Sequence, residues 1–499
     1  MFLNYIFLLI FSQSSPKLTF FASFGELNFI MSKIISRISE INILEAAKQN
    51  NKSELIAVYG RRRVGKTFLI REYFKKELVF EIAGLFHGTT NSQLQNFTKE
   101  LNARNTKANF DTPKNWLAAF ALLENYLNKL TSNKKKVIFI DEFPWLASPR
   151  SKFLMAFENF WNQYASKRDD LIVVICGSAA SYMVKKILNN KGGLHNRITR
   201  KIRLLPFDLK ETDAFLKSRG IRYSHYDVLQ IYMTMGGVPH YLDKLQKGAS
   251  VAQNIDQLCF DKDGVLNDEF NQLFTSLFDN SEKHRTIVKT LAKCKKGITR
   301  QDLITQSGIP SGGDFSLKLE ELIVSGFVSE YAYYKNKKQL VLYRLSDEYS
   351  LFYLKFIQPQ KAEGAGTWQR LFKKQTYTSW SGFSFETICL KHIYQIKKAL
   401  RIDAVYSTSS SWFNKNAQID LLIDRDDNII NICEMKFYNS AFSIDKQYYL
   451  KLKNKIDEFQ KETTTSKNIY LVMLTTYGLK QNEHSVEIIH NSLEISCLF

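Results

Sequence analysis

No two of the six cysteines, at 176, 259, 294, 389, 433 and 497, have C-x-x-C spacing, and no histidine lies near them at the spacing of a zinc site. That excludes a zinc knuckle. Several fall inside apolar strand-like runs and read as reduced core residues of a cytoplasmic protein. Membrane-spanning runs are missing too. The apolar stretch Phe2 to Phe11 is too short to cross a bilayer. It lacks a signal peptide's basic flank and has no small-residue cleavage site. Residues 1–30 are therefore expected to be a dispensable extension, with the folded chain beginning at Met31 and no stable membrane association. A tether resting on residues 2–11 is the alternative. Negative charge is also scarce: 49 acidic against 69 basic residues, a formal net charge of +20. A polyanionic partner, DNA, is the economical explanation; lysine-favouring codons in an AT-rich genome are the other.

What is present is a folded chain. Hydrophobic residues make up 44% and aromatics 13% of 499 residues, which implies a packed interior divided among about two to four domains. Its most informative stretch is Gly60 to Thr67, G-R-R-R-V-G-K-T, between the apolar run Leu55–Tyr59 and the helical stretch Phe68–Phe74. Strand, glycine-bracketed loop and helix form a phosphate-binding P-loop. Gly60 and Gly65 let the backbone curl, so that the amides of Arg61, Arg62, Arg63 and Val64 can face an anion. Lys66 reaches the β- and γ-phosphates, and the Thr67 hydroxyl can ligate Mg²⁺. ATP and Mg²⁺ are the expected cofactors.

A second run, Val137-Ile138-Phe139-Ile140-Asp141-Glu142, describes a buried parallel strand with two carboxylates at its tip. Asp141 is placed to hold Mg²⁺ and Glu142 to orient and polarise the attacking water. A third strand, Leu171 to Ser178, ends in a hydroxyl that could sense the γ-phosphate. Arg197, or failing it Arg200, could neutralise transition-state charge in cis or from a neighbouring subunit of a homo-oligomer; a solvated basic loop is the competing reading.

The order Y-G-R-R-R-V-G-K-T, F-I-D-E-F-P-W-L, C-G-S-A-A-S-Y-M and M-G-G-V-P-H-Y-L resembles the archaeal-type ATPase family, a branch of the AAA+/STAND-like P-loop ATPases. The resemblance runs from about Met31 to the C-terminus. It implies a P-loop parallel-sheet ATPase core over 31–205 and a helical lid and connector over 206–282. A winged helix over 283–347 and a restriction-endonuclease-like α/β domain over 348–499 would follow. It departs at Leu194-His195-Asn196, where members often carry a proline and an aromatic.

The residues support the later parts independently. Arg285–Ala292, a helix capped by Thr299, and Asp314–Val324 precede two strand-like runs, Phe327–Tyr334 and Gln339–Leu345, joined by a basic tip at Lys335–Lys338. Asp314, Glu320 and Glu321 make the third helix acidic for DNA reading, which leaves a protein-binding or structural role open. Further on, Asp420 and Glu434 lie on paired strands, and Lys436 shares a strand face with Glu434. These two carboxylates could hold Mg²⁺, Lys436 could activate a water, and Glu386 on a preceding helix could add a carboxylate. The arrangement resembles the PD-(D/E)xK nuclease motif. Two functions follow: an ATP-regulated enzyme acting on DNA, or a non-cutting ATP-dependent switch that binds DNA or a protein.

Overall fold

The computed structural model describes residues 34–499 apart from 106–108, 132–133, 149, 179–182, 184–193, 195, 279, 295, 335–339, 361–363 and 365. The extension over 1–30, the Lys335–Lys338 tip and the loop before Arg197 lie wholly or partly outside the described residues.

Helix α1 (Ile38–Gln49) leads to β1 (Glu54–Tyr59), and the P-loop then opens α2 (Lys66–Tyr73). After β2 (Leu78–Ala83), helices α3 (Thr90–Arg104) and α4 (Trp116–Asn128) fill the long gap before β3 (Lys136–Asp141). Next come α5 (Phe153–Gln163), β4 (Leu171–Gly177) and β5 (Arg200–Arg203). The strands form one parallel sheet in the order β2-β3-β4-β1-β5. The central strands β1, β3 and β4 are apolar along most of their length because helices cover both faces. Alternation sorts them: Ile56 and Val58 pack with Leu44, Leu69 and Ile70, while Leu55 and Ala57 face the layer of Phe97, Trp116, Phe120 and Phe153.

The chain then turns helical. Helix α6 (Leu209–Ser218) starts in a capping box between Asp208 and Glu211, and α7 (His225–Met235) is capped by Ser224. Gly237 follows because nothing larger fits: a Cβ there would lie 1.9 Å from the carbonyl of Phe207, whose N–H donates to Gly237 O at 2.7 Å. Helices α8 (Val251–Cys259) and α9 (Glu269–Leu277) complete the segment.

Helix α10 (Glu282–Ala292) is followed by the two-residue strand β6 (Ile298–Thr299) and α11 (Arg300–Ser307), whose N-cap is Thr299. Then come α12 (Gly313–Val324) and the hairpin strands β7 (Val328–Tyr333) and β8 (Val341–Leu345). Helix α13 (Glu348–Phe352) passes straight into a π-helical turn, Tyr353–Ile357, and the long α14 (Gln375–Lys391) follows. The remaining elements are β9 (Ser407–Phe413), β10 (Gln418–Arg425), β11 (Ile429–Lys436), α15 (Lys446–Thr463), β12 (Asn468–Thr475) and β13 (Asn491–Glu494). They join the hairpin in one eight-stranded sheet, order β13-β12-β11-β10-β9-β7-β8-β6. The join is the short parallel pairing of Ala332 and Tyr333 with Ser410 and Ser411. The sheet therefore runs across the boundary expected at 347/348.

One buried ion pair ties these parts to the first sheet. The Arg61 guanidinium, fully buried in the P-loop, donates to the Asp347 carboxylate just before α13 and lies over the Phe327 ring at 4.8 Å. Burial alone would raise the Asp347 pKa; the Arg61 charge and the Ser350 hydrogen bonds outweigh it and hold the carboxyl below its usual range. Arg61→Ala strands a charged carboxylate in the interior and should cost about 3–5 kcal/mol, read as a lower thermal midpoint. Replacing both partners, Arg61→Met with Asp347→Leu, should recover much of that loss. An Arg61→Ala protein as stable as the parent would show that the pair has no structural role.

Candidate nucleotide site and a second carboxylate cluster

Strand order builds the first site. Because β4 lies between β1 and β3, the tip of β4 stands between the P-loop and the acidic tip of β3. Five of the predicted residues meet there. The Thr67 hydroxyl donates to Asp141 Oδ2 at 2.6 Å, and the Glu142 N–H donates to Asp141 Oδ1 at 2.9 Å. The Ser178 hydroxyl donates to Glu142 Oε2 at 2.8 Å. Glu142 has φ 44°, a left-handed conformation that costs a non-glycine residue on the order of 1 kcal/mol. The Lys66 ammonium bridges the loop mouth, donating to the carbonyls of Gly60 at 3.0 Å and Arg61 at 2.8 Å. Gly60 has no room for a side chain: a Cβ would lie 2.2 Å from Leu204 O. A hydroxyl and a carboxylate oxygen this close form a donor set that suits a hard divalent cation.

A cleft of about 940 Å³ opens from this point, large enough for a nucleoside triphosphate. Its floor is the loop from Arg62 to Phe68, and its far wall comes from Phe207, Phe215, Pro239 and His240 of the helical segment. Arg37 lines it as well, stacked on Phe207 at 4.4 Å with a guanidinium hydrogen bond to Val64 O at 3.3 Å. His240 lies within the M-G-G-V-P-H-Y-L run, although that run assigns it no role, and nothing in the local sequence marks Arg37.

The arginines divide. Arg61 turns away to Asp347, and Arg63 pairs with the buried Glu269, which also accepts from the Tyr241 hydroxyl at 2.8 Å. Arg62 stays at the cleft, over Trp145 at 5.5 Å. Arg197 is half-buried before β5 and does not line the cleft. Arg200 pairs with Glu54 at 3.0 Å, at the opposite end of β1 from the P-loop.

The second cluster stands on β10 and β11, paired antiparallel with Leu421 opposite Cys433; the next step in that register sets Asp420 across from Glu434. Glu434 is thoroughly engaged: Lys455 donates to Oε2 at 2.6 Å, Lys436 lies 3.0 Å from Oε1, and the Tyr448 hydroxyl donates to Oε1. Burial favours its neutral form, but Lys455 and then Lys436 outweigh burial and hold its pKa at about 2. Asp420 accepts from Gln418 at 2.6 Å and lies 3.6 Å from Arg344. Glu386, on α14, is pushed up to about 8 by burial and by the Asp420 charge. Sequence reasoning found the carboxylates and Lys436 but missed Arg344, Tyr448 and Lys455. The last two sit seven residues apart on α15, two turns along one face, a spacing that names no partner. Among the described residues no group of three His, Cys, Asp or Glu side chains could hold a metal ion. With the Glu434 oxygens already committed to two ammonium groups and a phenol, the cluster as arranged does not fit a divalent cation.

Residues 34–245 match a family described as an ATPase domain predominantly from Archaea, and residues 353–449 match a family of archaeal and bacterial proteins of unknown function. An uncharacterized protein of Methanocaldococcus jannaschii, MJECL04, is 24% identical over 394 residues, covering 78% of this chain and 83% of that protein. An uncharacterized ATP-binding protein of the same organism, MJ0423, is 42% identical over 45 residues, 9% of this chain and 76% of its own length. Among solved structures, a Walker-type ATPase of Pyrococcus abyssi is similar with a TM-score of 0.46 and 16% identity, over 64% of this chain and 96% of that one. Among the described residues no helix is long and apolar enough to cross a membrane.

The raised Glu386 pKa carries a stability signature. Between about pH 4.5 and 8 the folded state keeps a proton that the unfolded chain has lost, so stability falls as pH rises through that window. Glu386→Gln should flatten this slope and raise the thermal midpoint most above pH 8. Parallel midpoint-against-pH curves for parent and variant would refute the assignment.

Proposed function

We propose that this chain, whose residues 34–245 carry an archaeal-type ATPase domain, is an ATP-hydrolysing switch that binds DNA through its C-terminal half. The observation that carries the ATPase reading is the meeting of Lys66, Thr67, Asp141, Glu142 and Ser178 at one point of the parallel sheet. The Lys66 ammonium and the loop amides hold the phosphates. Mg²⁺, when bound at Thr67 and Asp141, would neutralise developing charge on them. Glu142 orients the attacking water once Ser178 yields its carboxylate.

For DNA, the support is the charge balance of +20 and the pairing of two of the three acids of α12. Glu321 is buried against His284 at 2.6 Å, and Asp314 pairs with Lys283 at 2.6 Å, so the helix is less acidic toward a groove than its sequence suggests. Helices α10–α12 with the β7–β8 hairpin then serve as a winged helix, its third helix directed at DNA.

The ATPase reading predicts that Lys66→Ala loses nucleotide affinity, while Glu142→Gln keeps it but hydrolyses about a hundredfold or more slowly. Isothermal calorimetry and phosphate release measure the two effects. Wild-type turnover in Lys66→Ala would sink the reading.

A second reading, a metal-dependent nuclease, is favoured by one feature: Asp420, Glu434 and Lys436 on neighbouring strands with Glu386 close by. Because Glu434 is already neutralised, the switch predicts that plasmid DNA is bound in a salt-dependent manner but left intact with Mg²⁺ or Mn²⁺. Cleavage that disappears in Asp420→Ala and Lys436→Ala would replace the switch by the nuclease.

A further inference from the structure

A second cavity, of about 440 Å³, lies where α10, the π-helical turn and α14 meet. It is separate from the nucleotide cleft and shares no lining residue with it. Its inner wall is apolar, made of Leu354, Phe383 and Trp380 among others, and three lysines, Lys289, Lys293 and Lys355, also line it. Among the described residues no carboxylate does. Lys289 and Lys293 stand at the C-terminal end of α10, where the helix dipole favours cations. That cannot account for Lys355, which comes from a different element and brings a third like charge to the same cavity. Lys355 sits in the π turn, a distortion of helical register that recurs at functional sites. The indole Nε1 of Trp380, a residue 6% exposed, is buried without a hydrogen-bond partner. Buried donors are nearly always satisfied, and this tryptophan is also one of the residues that line the cavity.

From this combination we infer that the cavity binds a nucleotide phosphate, with the phosphate on the three lysines and the sugar or base against Phe383 and Leu354. Its volume is that of a small-ligand pocket, and a ring of cations without counter-ions selects an anion. The bound unit is a free mononucleotide or one nucleotide of a single strand, since both offer the same chemistry. Its position gives the site a consequence. Phe383 also carries the Arg344 guanidinium on its face at 5.4 Å, and Arg344 reaches Asp420 of the second cluster. Occupancy is therefore felt one residue away from Asp420.

The test uses the full chain with its P-loop saturated with ADP and Mg²⁺, so that the first site is silent. Thymidine 5′-monophosphate and a short oligothymidylate are titrated separately by calorimetry. At least one should bind, and Lys289→Glu with Lys355→Glu should weaken it roughly tenfold or more. Both lysines are exposed, so the double variant should fold, and unchanged ADP affinity confirms it. Phe383→Ala should weaken the same probe with the salt dependence left unchanged, because it removes apolar contact and no charge. Binding of the monophosphate identifies a free-nucleotide site; binding of the oligonucleotide alone identifies a strand site. If neither probe binds, or if binding survives both charge reversals, the inference is overturned. The outcome is independent of whether the P-loop hydrolyses ATP.

Discussion

A single buried contact, Arg61 to Asp347, joins the phosphate loop to the segment on which the second half of the molecule is built. Two opposite charges removed from water at this depth tolerate little displacement, because either one left alone would be severely destabilising. Around the pair the chain has little slack. Lys66 holds the Arg61 carbonyl from one side. On the other, Glu348, next to Asp347, pairs with Lys391 at the end of α14, and the same helix carries Glu386 and Phe383. The Arg61–Asp347 pair, the peptide bond to Glu348, the Glu348–Lys391 pair and α14 form a continuous run of contacts from the phosphate loop to the second cluster.

The parallel sheet supplies rigidity at the other end of that path. Strands buried on both faces fix the height of their C-terminal tips to within a residue, which is why Thr67 and Asp141 arrive at hydrogen-bond distance from positions 74 residues apart. Ser178 completes the group because β4 inserts between the other two strands. Its hydroxyl is hydrogen-bonded to the Glu142 carboxylate.

Much of this was legible along the chain. The P-loop announces itself because its chemistry is local: glycines, lysine and threonine must be adjacent to wrap one anion. Strands β1, β3, β4, β7, β8, β10 and β11 and the Thr299 cap were also readable, since periodicity and capping act over a few residues; β2, β5 and β9, with polar or charged positions along them, were not. The three loop arginines were not separable. Spacing makes Arg61, Arg62 and Arg63 equivalent, and only long-range packing sends the first to Asp347 and sets the other two at the cleft, the second over Trp145 and the third against Glu269. Arg200 shows the same limit: its place on β5 at the far end from the loop depends on which end of the strand meets Glu54.

Sequence alone determined the types of the strongly patterned elements, the phosphate-binding motif and the identities of the carboxylates in both clusters, because each depends on neighbours within a turn or a strand. Tertiary structure alone decided the strand order, the continuity of the hairpin with the C-terminal sheet and the partners of every buried charge. Those depend on contacts between residues tens to hundreds apart, and charge energetics depends on burial and distance. No local pattern encodes either. Glu386 and Glu434 show the difference most plainly: two glutamates alike in the chain, one pushed up to about 8 and the other held at about 2 by what folding places around them.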